Sequence, residues 1–401
     1  MPAEFKLSGN RSCGAGQLAT HSSTNHRREC RVVLVQTSTF ILADHPSAMK
    51  LLIISNMYPS DEKPYGGIFV RNQVEVLQEL YGAQLDISVR AMQRRYTGKL
   101  GSFLKYAKFG LQCVPMFFRH FDIVHVHYFV PTGILGWIYR FAHRKSKFVV
   151  TFHGGDLNPI LFRGHRALLW RRVSRSIDLA IGVGPAVVQR INDSLRPRRV
   201  ILQPAGIDSR RFFPPGVETS SKQFDFVFAG SFNERKGLDL LLTALEDPDF
   251  SDVRVAFVGT GPMRDRIREL SNRRPFAIRD YLTQDELRIV LWASKFLVLP
   301  SRTEPFGLVV SEANFCGVPA IVSNEPGLTW QISDYHNGLV FENGSLANLK
   351  STLRIAINMD IANYGRMAAA ASKSNRSFDI FEVASELMAE YRRTLTPEGD
   401  Y

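Results

Sequence analysis

Cysteine is scarce in this chain: four in 401 residues, at positions 13, 30, 113 and 316. None forms a CxxC pair or a Cys/His metal spacing, so a disulfide scaffold and a zinc module are excluded and a reducing, cytoplasmic setting is expected. Long apolar runs are also missing, since none reaches the roughly 20 residues that a spanning helix needs. The least charged stretch, Asp122 to Arg140, is interrupted by two histidines, a proline and two glycines. Acidic residues are locally absent. None occurs from Ile87 to Phe121 or from Leu157 to Ile177, while these stretches carry Arg90, Lys105, Lys108, Arg119, Arg171 and other cations among aromatics. Residues 1–205 hold 28 Lys/Arg against 12 Asp/Glu, whereas the remainder holds 22 against 26. A basic front and a mildly acidic back predict two domains with different partners.

What is present is a repeating alternation. Residues 1–48, rich in Ser, Thr, His and Arg, are expected to be a poorly ordered extension. From Met49 onward, short β-branched runs alternate with amphipathic helical stretches, which predicts α/β architecture with parallel sheets covered on both faces. One series (LLIISN, DIVHVHYF, FVVTFHG, IDLAIGVG, RVILQPAG) ends near residue 205. A second (FDFVFAG, DVRVAFVG, KFLVLPS, PAIVS, GLVF) follows. Two doubly wound, Rossmann-like domains at 49–205 and 206–375 are expected, with ligands at the carboxyl ends of strands in the cleft between them.

The stretch SRTEPFGLVVSEANFCGVPA, residues 301–320, carries two glutamates eight positions apart, Glu304 and Glu312. Pro305 keeps Glu304 out of a helix. Glu312 falls just over one turn into the helix begun by LVVSEANF. Free N–H groups at that turn favour a phosphate, and a carboxylate on either side suits the hydroxyls of a nucleotide sugar. Standing alone, such a pair would more simply be a dipole-stabilising glutamate and a solvated loop residue.

The surrounding residues decide otherwise. PSRTEPFGLVVSEANFCGVPAIVS closely resembles the donor-site signature of family 4 (group 1) glycosyltransferases of the GT-B fold. PYGGIFVRNQ (64–73), FDIVHVHYF, FVVTFHGGD, QPAGIDSRRFFP, FAGSFNERKGLDLLL and FVGTGPMRDRI match in order, covering about residues 49–395. The resemblance implies an acceptor-side first domain, a donor-binding second domain, and a C-terminal helix, within 376–401, that crosses back to the first. It implies transfer of a sugar from a nucleotide diphosphate sugar to a glycan or lipid-linked acceptor, with retention and without a metal or other cofactor.

Carried over by position, the resemblance puts Glu312 on the donor ribose and Glu304 on sugar hydroxyls near the reacting carbon. Phe306, Gly307 and Leu308 would supply backbone contacts, and Lys236 would meet the diphosphate. Where the family often has arginine after glycine, this chain has Gly230-Ser231, and Arg235 is a candidate substitute. Gly66 and Gly67 match the glycine loop of the first domain. His153 matches the reaction-centre histidine, with Asp156 orienting it or the acceptor. His125 and His127 are expected to be structural and to point to opposite faces of their strand. GVGPAV and GTGPMR complete no dinucleotide fingerprint and fit strand-end turns. Asp247-Pro248-Asp249 has the spacing of a metal-binding aspartate motif, but falls in a helix-terminating loop, and no metal is assigned. The basic stretches 87–121 and 157–177 suit either an anionic membrane surface or plain solvent. No motif for nucleic acid accompanies them. A phosphorylase, an epimerase and a non-catalytic sugar-nucleotide binder remain rival readings.

Overall fold

The computed structural model describes residues 48–60, 66–92, 98–157, 164–216, 222–374 and 376–396. The expected extension, together with Arg94, Arg95, Phe162 and Arg163, lies outside them. Two six-stranded parallel sheets carry the chain. The first comprises β1 (Met49–Ser55), β2 (Leu85–Ala91), β3 (Ile123–His127), β4 (Lys147–Phe152), β5 (Leu179–Gly182) and β6 (Val200–Leu202), in the order β2-β1-β3-β4-β5-β6. The second comprises β7 (Phe224–Ala229), β8 (Val255–Val258), β9 (Phe276–Arg279), β10 (Ser294–Leu299), β11 (Ala320–Ser323) and β12 (Gly338–Phe341), in the order β12-β11-β10-β7-β8-β9. These are the two wound halves expected.

Sequence patterning missed β2 and β9. Each is an edge strand, exposed on one side, and neither shows the continuous apolar run of a strand buried on both faces. The segment LDISVRA places Asp86, Ser88 and Arg90 among its apolar residues. Central strands behave differently: all five residues of β3 are buried.

The two histidines of β3 correct an expectation. His125 and His127 stack at 4.4 Å between ring centroids, on the same side of the sheet. Side chains alternate with period two, so residues two apart share a face.

The last helix, Ile380–Leu395, is capped by Asp379, whose carboxylate accepts from Phe381 N–H at 3.2 Å. It buries Ile380, Val383, Ala384, Leu387, Met388 and Tyr391, one helical stripe. That stripe packs with Leu51, Ile53, Val70 and Leu77 of the first half. The return is pinned by two backbone bonds, Ile207 N–H to Phe378 O (2.8 Å) and Ile380 N–H to Ile207 O (2.9 Å). Among the described residues no helix is long and apolar enough to cross a membrane.

Candidate active site

A cleft of about 740 Å³ opens where the carboxyl ends of the two sheets meet, a volume suited to a ligand of nucleotide-sugar size. His153 lines it from the first half, and Gly230, Lys236, Glu304, Phe306, Gly307, Leu308 and Glu312 line it from the second.

Local sequence explains this convergence. β10 ends at Leu299, and Pro305 keeps the following loop extended. Gly307 adopts φ +79° immediately before the helix Leu308–Phe315, and a Cβ there would meet Leu328 Cδ2 at 2.7 Å. Phe306 anchors the loop by packing against Trp330 and Phe378 at 5.9 and 5.5 Å. Lys236 arrives from the other side. Asn233 caps its short turn, accepting from Lys236 N–H at 3.1 Å. Gly237 (φ +67°) then lets the turn close on Pro300, whose carbonyl oxygen would sit 1.8 Å from a Cβ. The result is an ion pair: Lys236 Nζ donates to Glu304 Oε2, which also accepts from Ser301 Oγ at 3.3 Å. Glu304 is only 7% exposed, so each member of the pair compensates a charge the other could not carry alone.

Glu312 has no such partner. Among the described residues none hydrogen-bonds its carboxylate, and burial pushes its pKa up to about 7. A carboxylate held without donors at the wall of a cleft is suited to accept them from a ligand.

His153 is neutral, because burial and the neighbouring His127 hold its pKa well below the usual value. Its Nε2 meets His127 Nδ1 at 3.2 Å, and Tyr128 and Phe69 flank its ring at 4.4 and 4.7 Å. Asp156 stands outside the cleft. Its carboxylate accepts from the backbone N–H of His153 (3.1 Å) and of Phe129 (2.7 Å), tying the ends of β3 and β4 together. Burial raises it to about 6.

Other sequence candidates fall beside the cleft. Gly66 and Gly67 do not line it. Gly67 (φ +71°) instead lets the helix Ile68–Tyr81 start against Met57, and the next two residues, Ile68 and Phe69, face the ligand space. Ser231 is not in the lining, and Arg235 is exposed, with Nη1 on the Thr303 carbonyl at 3.3 Å. The cations that sequence reasoning missed are Arg71 and Arg211, both in the lining. Arg211 leans on Asp208 at 3.5 Å and Arg71 on Glu75 at 3.4 Å. Arg71 lies within the quoted stretch PYGGIFVRNQ, which was its only signal.

The decoy motifs also find places. Gly184 of GVGPAV would put a Cβ 2.0 Å from the Pro305 carbonyl, and Gly154 (φ +86°) one 2.5 Å from the Pro305 ring. The donor-side loop therefore seats on two glycines of the first half. Gly259 of GTGPMR supports the Gly230 turn, with a Cβ 1.9 Å from the Gly230 carbonyl. Asp247 and Asp249 pair with Lys350 (2.9 Å) and Arg354 (2.7 Å). No group of three or more potential metal ligands occurs among the described residues.

Comparison with known proteins fits this geometry. The family described as Glycosyl transferases group 1 matches residues 209–374, and Glycosyltransferase Family 4 matches residues 70–211. A D-inositol 3-phosphate glycosyltransferase of Streptomyces bingchenggensis is 30% identical over 321 residues, covering 70% of each chain. The chain belongs to the group 1, family 4 glycosyltransferases. An uncharacterized glycosyltransferase of Methanocaldococcus jannaschii is 26% identical over 245 residues, 59% of this chain and 66% of that one. Matches to several other family members reach only half to two thirds of their length. Sucrose-phosphate synthase from Thermosynechococcus elongatus superposes with a TM-score of 0.72 at 20% identity, covering 86% of this chain and 98% of that one. Anabaena HepE superposes with 0.67 at 18% identity, covering 86% and 100%. These place the two sheets in the GT-B fold of the family.

Proposed function

We propose that the protein is a glycosyltransferase that moves a sugar from a nucleotide diphosphate sugar to a hydroxyl of a glycan or lipid-linked acceptor, with retention and without a metal ion. The observation that carries the reading is the Lys236–Glu304 pair facing Glu312 and His153 within one cleft. Diphosphate charge grows as the sugar leaves, and a positioned lysine stabilises that charge most in the transition state. Glu312 offers an unpaired acceptor to ribose hydroxyls. Anabaena HepE, of the same fold, has been solved with UDP-glucose, and an Arabidopsis starch synthase with ADP and acarbose, which supports a nucleotide diphosphate in this cleft.

Calorimetric titration with UDP, GDP and ADP, alone and as their common sugar conjugates, tests the reading. One nucleotide is expected to bind at micromolar concentration, identifying the base. Heat from none of them would overturn the donor assignment.

On the acceptor side, the support is a surface. Phe118 is 85% exposed and Phe141 and Leu168 are each 70% exposed, with Lys108, Arg119, Arg144, Arg171 and Arg172 exposed in the same half. Exposed aromatics among cations suit the headgroup region of an anionic leaflet, at about 1 kcal/mol per basic residue. The protein is expected to sediment with vesicles of equal phosphatidylglycerol and phosphatidylcholine at ~0.1 M salt. Joint replacement Phe118→Ser and Phe141→Ser should release most of it. Equal sedimentation of variant and unaltered protein would leave a merely solvated basic face.

A further inference from the structure

Behind His153 lies a set of polar groups that the cleft does not use. His127 is 2% exposed and, with Nδ1 on His153, turns Nε2 toward a second, small cavity of about 20 Å³. That volume accommodates one water. His127 Nε2 and Gln73 Oε1 are both sealed from solvent without a hydrogen-bond partner among the described residues, and both residues line this cavity, as does Thr151. Leaving a buried polar atom without a partner is unfavourable, and two around one cavity call for a common guest.

We propose that this cavity holds a single water, and that a polar chain running from Tyr391 through that water fixes which nitrogen of His153 carries the proton. The proposal rests on the reading above that His153 faces the reacting sugar. Counting protons sets the direction. Tyr391, fully buried on the crossing helix, meets His125 Nδ1 at 2.6 Å. Burial suppresses ionisation of the phenol, and His125 Nδ1 is its oxygen's only hydrogen-bond partner among the described residues, so its O–H donates there. His125 then carries its proton on Nε2 and donates to Thr151 Oγ1 at 2.7 Å. The Thr151 hydroxyl is left to donate into the cavity. The water accepts it, and gives one O–H to Gln73 Oε1 and the other to His127 Nε2. His127 must therefore hold its proton on Nδ1 and donate it to His153 Nε2, which places the His153 proton on Nδ1. The opposite His127 tautomer would leave one water O–H without an acceptor among these residues. His153 thus presents an N–H to the cleft, a donor to a sugar oxygen rather than a base for the acceptor's proton. Gln73, His127, Thr151 and Tyr391 are positioning residues.

The test is the tautomer itself. Full-length protein labelled with 15N-histidine gives ring-nitrogen correlations, and His153→Ala identifies the His153 set. The expected result is a protonated Nδ1 and a bare Nε2 on His153. In Thr151→Val the proton should move wholly or partly to Nε2, and kcat should fall by about 10²-fold, the low end for a misplaced proton, with donor KM unchanged. Thr151→Ser should restore both. Thr151→Ala, which removes the same hydroxyl, reads the same shift if the valine variant folds poorly. A protonated Nε2 in the unaltered protein, or an unmoved tautomer in both variants, would overturn the proposal. The spectra need no turnover, so a protein that transferred no sugar would sink the functional reading and leave this one standing.

Discussion

Lys236→Ala should lower kcat by about 10²–10³-fold and should also lower the melting temperature. The first effect follows from the proposed reaction, in which Lys236 is the cation that meets the departing diphosphate. The second follows from the structure without ligand. Glu304 is nearly sealed and keeps only Ser301 Oγ once the lysine is gone, and breaking a buried pair by removing one partner costs about 3–5 kcal/mol. Glu304→Gln in the same chain should recover much of the stability and none of the rate. A double-mutant cycle on melting separates the two effects, with a coupling of about 1–3 kcal/mol expected. Additive single effects would mean that the pair is incidental. The pair also implies an exchange on binding. In the proposed reaction Lys236 stays on Glu304 until a diphosphate arrives, and its transfer to phosphate frees Glu304 for sugar hydroxyls.

Nucleotide affinity should weaken about tenfold between pH 8 and pH 6, since Glu312 titrates near 7 and only its ionised form accepts hydrogen bonds from both ribose hydroxyls. Glu312→Gln should bind weakly throughout that range and show no such slope. The sign reverses for stability. A carboxyl whose folded pKa lies above its ordinary value favours folding below that ordinary value, and loses that contribution as pH rises through the interval up to about 7. Glu312→Gln should therefore melt higher than the unaltered protein at pH 8 and match it near pH 4. A variant that melts lower at pH 8 would show that the carboxylate has a partner in the folded protein. A residue that costs stability where it serves binding is the pattern of a site held for its ligand.

The fold was legible because inner strands of parallel sheets are continuous apolar runs. LLII, FVVTF and KFLVL announce themselves by composition, whereas β2 and β9, at the edges, do not. That Lys236 and Glu304, 68 positions apart, share one site was legible only through resemblance, and their direct ion pair was not legible at all, since no periodicity links a helix-opening lysine to a distant loop. Arg71 and Arg211 escaped because what brings them to the cleft is the meeting of two halves. Arg235 looked suitable by adjacency to Lys236, yet neighbours in a tight turn point different ways. His125 and His127 were misassigned by a miscount of strand period, and the stacked pair they form is invisible to composition.

The crossing helix has a consequence for synthesis. The core of the first half includes Leu387, Met388 and Tyr391, so the half translated first is finished last. The second half, continuous in sequence, can close its core while the first still waits for its final helix. At ~5–20 residues per second the roughly 190 residues separating β6 from Tyr391 take about 10–40 s. During that interval the apolar face that includes Leu51, Ile53 and Val149 is covered only in part, by Val70, Val76 and Leu77 of the helix Ile68–Tyr81, and would offer a landing place for a chaperone.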